Sequence, residues 1–155
     1  MKEYKKRIDL ISLKICREKS IKYENRSIKD PKSAFEIIKS FLGNTDREYF
    51  IVVNLNARNE PCSVEICSIG TLTTTITHPR EIFKSAIATN AEKIIIAHSH
   101  PSNSLEPSSS DITTTQNLLR VANIIQIPII DHLILGEDDF FSFAEHGLLF
   151  ESEQL

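Results

Sequence analysis

The sequence predicts an α/β (α+β) domain in which a mixed central sheet is flanked by helices. Three observations carry this. Apolar residues recur at helical spacing in segments opened by a proline or a capping residue. Runs rich in β-branched and aromatic residues alternate with them. One run, IIIA over 94–97, is short and wholly apolar, the pattern of a strand covered on both faces.

Taken in order, residues 7–16 (RIDLISLKIC) alternate polar and apolar, placing Ile11, Leu13 and Ile15 on one face of an edge strand. Asp30 before Pro31 is an N-cap followed by proline at the first helical position. A helix follows through Ala34, Ile37, Ile38, Phe41 and Leu42, and Gly43-Asn44 stops it. EYFIVVNLNA, from Glu48, reads as a central strand. The turn at 58–61 returns the chain as CSVEICSIG, the antiparallel partner of a hairpin. The threonine-rich TLTTTITHP continues as strand or extended loop until Pro79 opens a second helix running to about Thr89.

Residues 94–97 form the buried strand and deliver His98 and His100 at its exit. A helix starting at Ser108 turns Leu118, Leu119, Val121, Ala122, Ile124 and Ile125 toward the core and ends before Pro128. Strands near 129–135 and 140–144 flank the Gly136-Glu137-Asp138-Asp139 turn. The predicted order is β-α-β-β-β-α-β-α-β-β.

A chain of 155 residues, 41% hydrophobic and 25% charged, fits one domain with a core of its own. It divides into a basic lead over 1–29, a main domain over 30–150 and a loose acidic tail over 151–155. No apolar run reaches the roughly 20 residues that cross a bilayer. MKEYKKRIDL lacks the apolar core of a signal peptide, so the expected setting is the cytoplasm, with no membrane partner. Cys16, Cys62 and Cys67 show no close-paired zinc spacing and read as reduced, mostly buried thiols. Residues 1–32 carry 11 Lys and Arg against 5 Asp and Glu, whereas residues 33–155 carry 7 against 16. Such a basic front can attract nucleic acid or an acidic protein surface. Its charges are interrupted by Ile8, Leu10, Ile11, Leu13 and Ile15, which favours a solvated segment.

The chemistry concentrates between His98 and Asp111. Alternation along an extended chain puts His98 and His100 on one side, within reach of one ion at about 2.0 to 2.1 Å. His-x-His alone is equally the mark of two polar residues at a strand end. Asp111 adds a third ligand from the first turn of a helix, where the macrodipole favours its ionised form, and a fourth position stays open. Ser108-x-x-Asp111 also has the form of a capping box, and the two readings can share residues. A general base must come from another element, and Glu48, at the start of the central strand, is the candidate.

Glu48, His98-x-His100 and, after seven residues, Ser108-x-x-Asp111 together resemble the motif of the JAMM (MPN-plus) metalloproteases. HPREIFKSAIATNA, AHSHPSN, PSSSD and IIDHLILGEDDFFSFAEHGLL are similar to the RadC branch of that family, over roughly residues 27–150. The resemblance implies a JAB/MPN-like (cytidine-deaminase-like) architecture and a Zn²⁺ ion on His98, His100 and Asp111. It further implies Glu48 as general base and later proton donor, Ser108 as a stabiliser of the oxyanion, and a peptide or protein substrate cut at an amide or isopeptide bond. RadC-like sequences usually read His-Asn-His-Pro-Ser-Gly; here Ser99 and Asn103 replace the Asn and the Gly without removing a ligand. Members usually carry an N-terminal helix-hairpin-helix region, and none is recognised before residue 30. A second reading follows from the family's DNA-repair label: an accessory domain that binds metal but acts through DNA or protein contacts. His78 reads as a helix-entry residue, Asp131-His132 as packing or support for the ligands, and His146 as surface. Thr113 to Thr115, costly inside a helix, suggest a solvent-facing or functional edge.

Overall fold

The computed structural model describes residues 6–24, 26–70 and 78–150. The elements are α1 (Pro31–Leu42), β1 (Tyr49–Leu55), β2 (Pro61–Ile69), α2 (Pro79–Ala88), β3 (Lys93–Ser99), α3 (Ser109–Ile125), β4 (Ile129–Leu135) and β5 (Phe140–Ser142). They build a five-stranded mixed sheet in the order β2-β1-β3-β4-β5. All pairings are antiparallel except β3 with β4, which α3 joins as a crossover.

Strand parity divides the core. Ile51, Val53, Leu55, Ile95, Ala97, Leu133 and Leu135 face Ala34, Ile37 and Ile38 of α1. On the other face Phe50, Val52, Ile94 and Ile96 pack against Ile82, Phe83 and Ala86 of α2 and Leu118 and Ala122 of α3. Helices on both faces explain why β1, β3 and β4 are buried along nearly their whole length, the polar Asn54, His98, Asp131 and His132 included. At the start of α1, Ser33 N donates to Asp30 Oδ1 at 2.7 Å, and Gly43 ends the helix at φ 65°.

The strand expected over 7–16 does not form. Residues 6–20 carry no regular structure and are exposed, with Ile11, Leu13 and Ile15 retaining 66 to 88% of their surface. Alternation makes a strand only where a neighbouring strand takes up its backbone groups, and nothing in the described chain pairs with this one. The lead meets the domain through Arg26, paired with Glu60 at 2.6 Å, and is anchored at Ile28, which is buried and whose amide donates to Asn59 O at 2.9 Å. The threonine-rich stretch over 71–77 and the tail over 151–155 lie outside the described residues. The cysteines are free, but not mostly buried as expected. Cys16 sits in the exposed lead and Cys62 on the outer edge strand β2, and only Cys67 is half-covered. The last strand stops at Ser142 rather than 144, because the Ala144 amide turns to Asp131 Oδ1 at 3.0 Å.

Candidate metal centre

His98 lies inside β3 rather than at its exit, since β4 pairs with β3 as far as Ser99. Its parity follows Ile94 and Ile96, so the ring enters the layer beneath α2 and α3, where it is buried and stacks on Phe50. His100 follows the strand, and its amide is tied to Leu135 O at 3.2 Å. Asp111 is the third residue of α3, which Ser108 caps. His98 Nε2 stands 2.9 Å from His100 Nε2 and 3.2 Å from Asp111 Oδ1, and His100 Nε2 stands 3.6 Å from Asp111 Oδ2. A tetrahedral ion with contacts of about 2.0 to 2.2 Å separates its ligand atoms by roughly 3.3 to 3.6 Å, so this triangle is close to the size a zinc site requires. Among the described residues, His98, His100 and Asp111 form the one such group with all donor atoms within 4.8 Å.

Electrostatics suit the group. Burial alone would raise Asp111, but hydrogen bonds from His100, His98 and Ser108 and the charge of His98 outweigh it and hold the carboxyl far below the usual range. His100 is raised, first by its bond to Asp111, against burial, with the Ser104 carbonyl and the charges of Asp111 and Glu48 adding to it. His100 Nδ1 lies 2.7 Å from Ser104 O. A carbonyl only accepts, so this nitrogen carries a proton, and in the neutral ring Nε2 keeps its lone pair for a cation.

The capping box and the site share residues. The Ser108 amide and hydroxyl both donate to Asp111 Oδ2 at 2.7 Å, and the Asp111 amide returns to Ser108 Oγ at 3.1 Å. The serine hydroxyl thus faces its own helix carboxylate. Glu48 is half-buried immediately before β1. The β1–β3 ladder ends with Phe50 paired to His98, and Glu48 lies two residues beyond that end on the β1 side, as His100 does on the β3 side. Glu48 therefore stands at the rim, outside the tight ligand group, and near enough for its charge to act on His100.

The two departures from the family pattern both have partners. Ser99 Oγ accepts from Tyr49 N at 2.9 Å and donates to Arg47 O at 3.1 Å, bracketing Glu48 between two bonded neighbours. Asn103 occupies φ 60°, the left-handed conformation that glycine adopts freely and asparagine tolerates. Its Oδ1 accepts from Glu137 N at 2.6 Å. A cleft of about 230 Å³ opens beside His100, lined by Lys39, Asn44, Asn103, Gly136 and Glu137.

Sequence reasoning placed Thr115 on a solvent-facing or functional edge and named no role for it, and it does not face solvent. It is fully buried, and its Oγ1 lies 2.6 Å from His132 Nδ1, while His132 Nε2 lies 2.8 Å from His98 Nδ1. The available signal was spacing: Thr115 is one helical turn beyond Asp111, where a threonine hydroxyl reaches the carbonyl four residues back. Asp131 accepts from the amides of His132 and Ala144 and the hydroxyl of Ser142, fixing the turn behind His132. His78 caps α2 by accepting from Arg80 N at 3.1 Å. His146 is exposed and stacks on Phe141.

The profile of the RadC-like JAB domain family matches residues 28–148. A UPF0758 protein of Chlorobaculum parvum is 41% identical over 125 residues, covering 81% of this chain and 56% of that protein. One from Rubrobacter xylanophilus is 41% identical over 122 residues, covering 79% and 53%. The UPF0758 protein STH371 of Symbiobacterium thermophilum is 41% identical over 120 residues, covering 77% and 51%. The chain spans about half the length of these relatives. With the profile matching from Ile28 to Leu148 and relatives near 40% identity over most of its length, the chain belongs to the RadC-like JAB domain family.

Proposed function

We propose that this domain is a zinc-dependent hydrolase of peptide or isopeptide bonds, with His98, His100 and Asp111 as ligands and Glu48 as general base. The observation that carries the reading is the triangle of two imidazole nitrogens and an ionised carboxylate at 2.9, 3.2 and 3.6 Å, three electron-pair donors converging on one point. A zinc ion held there supplies Lewis-acid character, polarising a scissile carbonyl and acidifying water. The rest of the work falls to the chain. Glu48, whose charge acts on His100, takes a proton from the attacking water and returns it to the leaving nitrogen. Ser108 keeps Asp111 aimed. Its hydroxyl reaches a substrate oxygen by releasing Asp111 Oδ2, which the Ser108 amide still holds at 2.7 Å. The polar cleft beside His100 receives the flanking peptide. Three free thiols fit a reducing compartment, the cytoplasm.

Metal analysis tests this directly. The purified chain should hold about one zinc per molecule, and His98→Ala with His100→Ala should hold none. Glu48→Gln should keep the zinc and lose cleavage of peptide and isopeptide substrates. A folded chain without zinc affinity overturns the reading.

A second reading rests on the exposure of the lead, whose Lys6, Arg7, Lys14, Arg17, Lys19 and Lys22 all face solvent or its border. In this reading the domain associates with DNA through that segment. DNA binding that weakens with salt and again on deletion of residues 1–29 would support it; binding unaffected by the deletion would remove it.

A further inference from the structure

We propose that Thr115 and His132 are positioning residues that hold the His98 proton on Nδ1 and so keep the His98 Nε2 lone pair turned toward Asp111 and His100. The proposal rests on the metal reading of the site, but its first test does not need the metal.

A neutral imidazole carries its proton on one nitrogen, and the bond made by the other nitrogen decides which. For His100 the Ser104 carbonyl decides at once. For His98 the neighbour is ambiguous, because His132 Nε2, 2.8 Å from His98 Nδ1, can donate or accept. The ambiguity passes along the chain of bonds. His132 Nδ1 meets Thr115 Oγ1 at 2.6 Å, and a hydroxyl can also do either. It ends at the next contact, where Thr115 Oγ1 lies 2.7 Å from the main-chain oxygen of Asp111.

A carbonyl oxygen never donates, so the single threonine proton lies between those two oxygens. Thr115 Oγ1 must then accept from His132 Nδ1–H. His132 is buried between Phe50 and Phe143, with ring nitrogens that meet only Thr115 and His98 among the described residues. With no carboxylate on either nitrogen, the buried ring is neutral. Its Nε2 is then an acceptor, and His98 Nδ1–H donates to it. The His98 proton is thus fixed on Nδ1, and whenever that ring is neutral its Nε2 lone pair faces the other two ligands. The reverse pattern would leave the Thr115 and Asp111 oxygens 2.7 Å apart with no proton between them, and would put a proton on His98 Nε2, where it blocks a cation.

The relay closes on the site it serves. It begins at the backbone of one ligand, Asp111, and ends on the ring of another, His98. The helical turn that presents the carboxylate also sets the histidine.

The decisive experiment reads the tautomer of His98 in the ¹⁵N-labelled, metal-free full chain by long-range ¹H–¹⁵N correlation, above the pH range where imidazoles titrate. The wild type should show the Nδ1–H form. Thr115→Val should shift His98 toward the other form and weaken zinc binding, measured with zinc alone by competition titration, by about 10- to 100-fold. Thr115→Ser should restore both. A wild-type His98 protonated on Nε2 overturns the proposal, as does a Thr115→Val chain with unchanged tautomer and unchanged affinity. The wild-type measurement decides even if the valine variant fails to fold. If the wild type binds no zinc yet shows the Nδ1–H form and loses it in Thr115→Val, the relay stands and the zinc reading falls. Zinc binding and a His98 tautomer that both ignore Thr115→Val leave the zinc reading standing and remove the relay.

Discussion

The amide of Tyr49 donates to Ser99 Oγ at 2.9 Å, and the same hydroxyl donates to Arg47 O at 3.1 Å, so one buried side chain of β3 holds both neighbours of Glu48. Ser99→Ala would leave an amide and a carbonyl unpaired at the edge of the sheet, at a cost of about 1 to 3 kcal/mol. Chemical denaturation checks the stability. Under the proposed function, turnover should fall further than zinc content, because the base loosens while the ligands stay in place.

Asn103 and Gly136 should be mutually constrained. Asn103→Ala loses the bond to Glu137 N and keeps a backbone at φ 60° that alanine resists, for an expected loss of about 2 kcal/mol. Asn103→Gly relieves the backbone and loses only the bond, so it should sit between alanine and wild type. Gly136→Ala should be the worst of the three, since an added Cβ would stand 2.7 Å from Asn103 Oδ1 and 3.0 Å from Asp139 O. Ranking the midpoints of thermal unfolding tests the order.

Burial raises Asp131 above its ordinary value of 3.8, and the bonds from Ser142, Ala144 and His132 only partly offset this. A carboxyl raised on folding favours the folded state below the unfolded value of 3.8, and that contribution is lost as pH rises through the higher folded value. Asp131→Asn removes the titration. Its stability relative to wild type should therefore improve as pH climbs from 3.8 into the mildly acidic range. Equal pH slopes for the two proteins would contradict this.

The thiols should separate by reactivity. Cys67 is pushed up to about 12 by burial, with the charges of Glu65 and Glu81 adding to it, whereas Cys16 and Cys62 are exposed. Under native conditions iodoacetamide should label Cys16 and Cys62 well before Cys67, and denaturant should remove the difference. Mass spectrometry of the digested chain reads the labels.

Zinc should stabilise the fold by mass action, by about 2.7 kcal/mol at a free concentration 100 times the dissociation constant. A chelator should reverse the gain. Asp111→Asn should abolish it and also weaken the cap of α3, which relies on the Asp111 carboxylate accepting from the Ser108 amide. Thermal unfolding with and without zinc separates the two effects.

Periodicity located α1, β1, β2, α2, α3 and β4 because each has its own cap, proline or apolar run, but it did not fix every buried face: Ile124, expected toward the core, is 80% exposed because it lies two residues beyond the buried Ala122, on the opposite side of the helix, and no residue of β2 is fully buried. The same logic failed over 7–16, where alternation is present but no partner strand is found among the described residues. The His98, His100 and Asp111 cluster was legible because the three residues lie within a stretch of 14. Thr115 and His132 were not, because hydrogen-bond direction depends on three elements meeting. Ser108 was legible as a cap, but the turn of its hydroxyl onto Asp111 was not.

The crossover from β3 through α3 to β4 has a consequence for engineering. The candidate ligands occupy a short stretch, yet the groups that set their surroundings come from elsewhere: His132 from β4, Phe50 beneath His98 from β1, and the entry of β1, whose Tyr49 amide binds Ser99. Grafted alone onto another scaffold, the stretch from His98 to Asp111 would arrive with its side chains but without the sheet that orients them. The transplantable unit is the four-element block of β1, β3, α3 and β4.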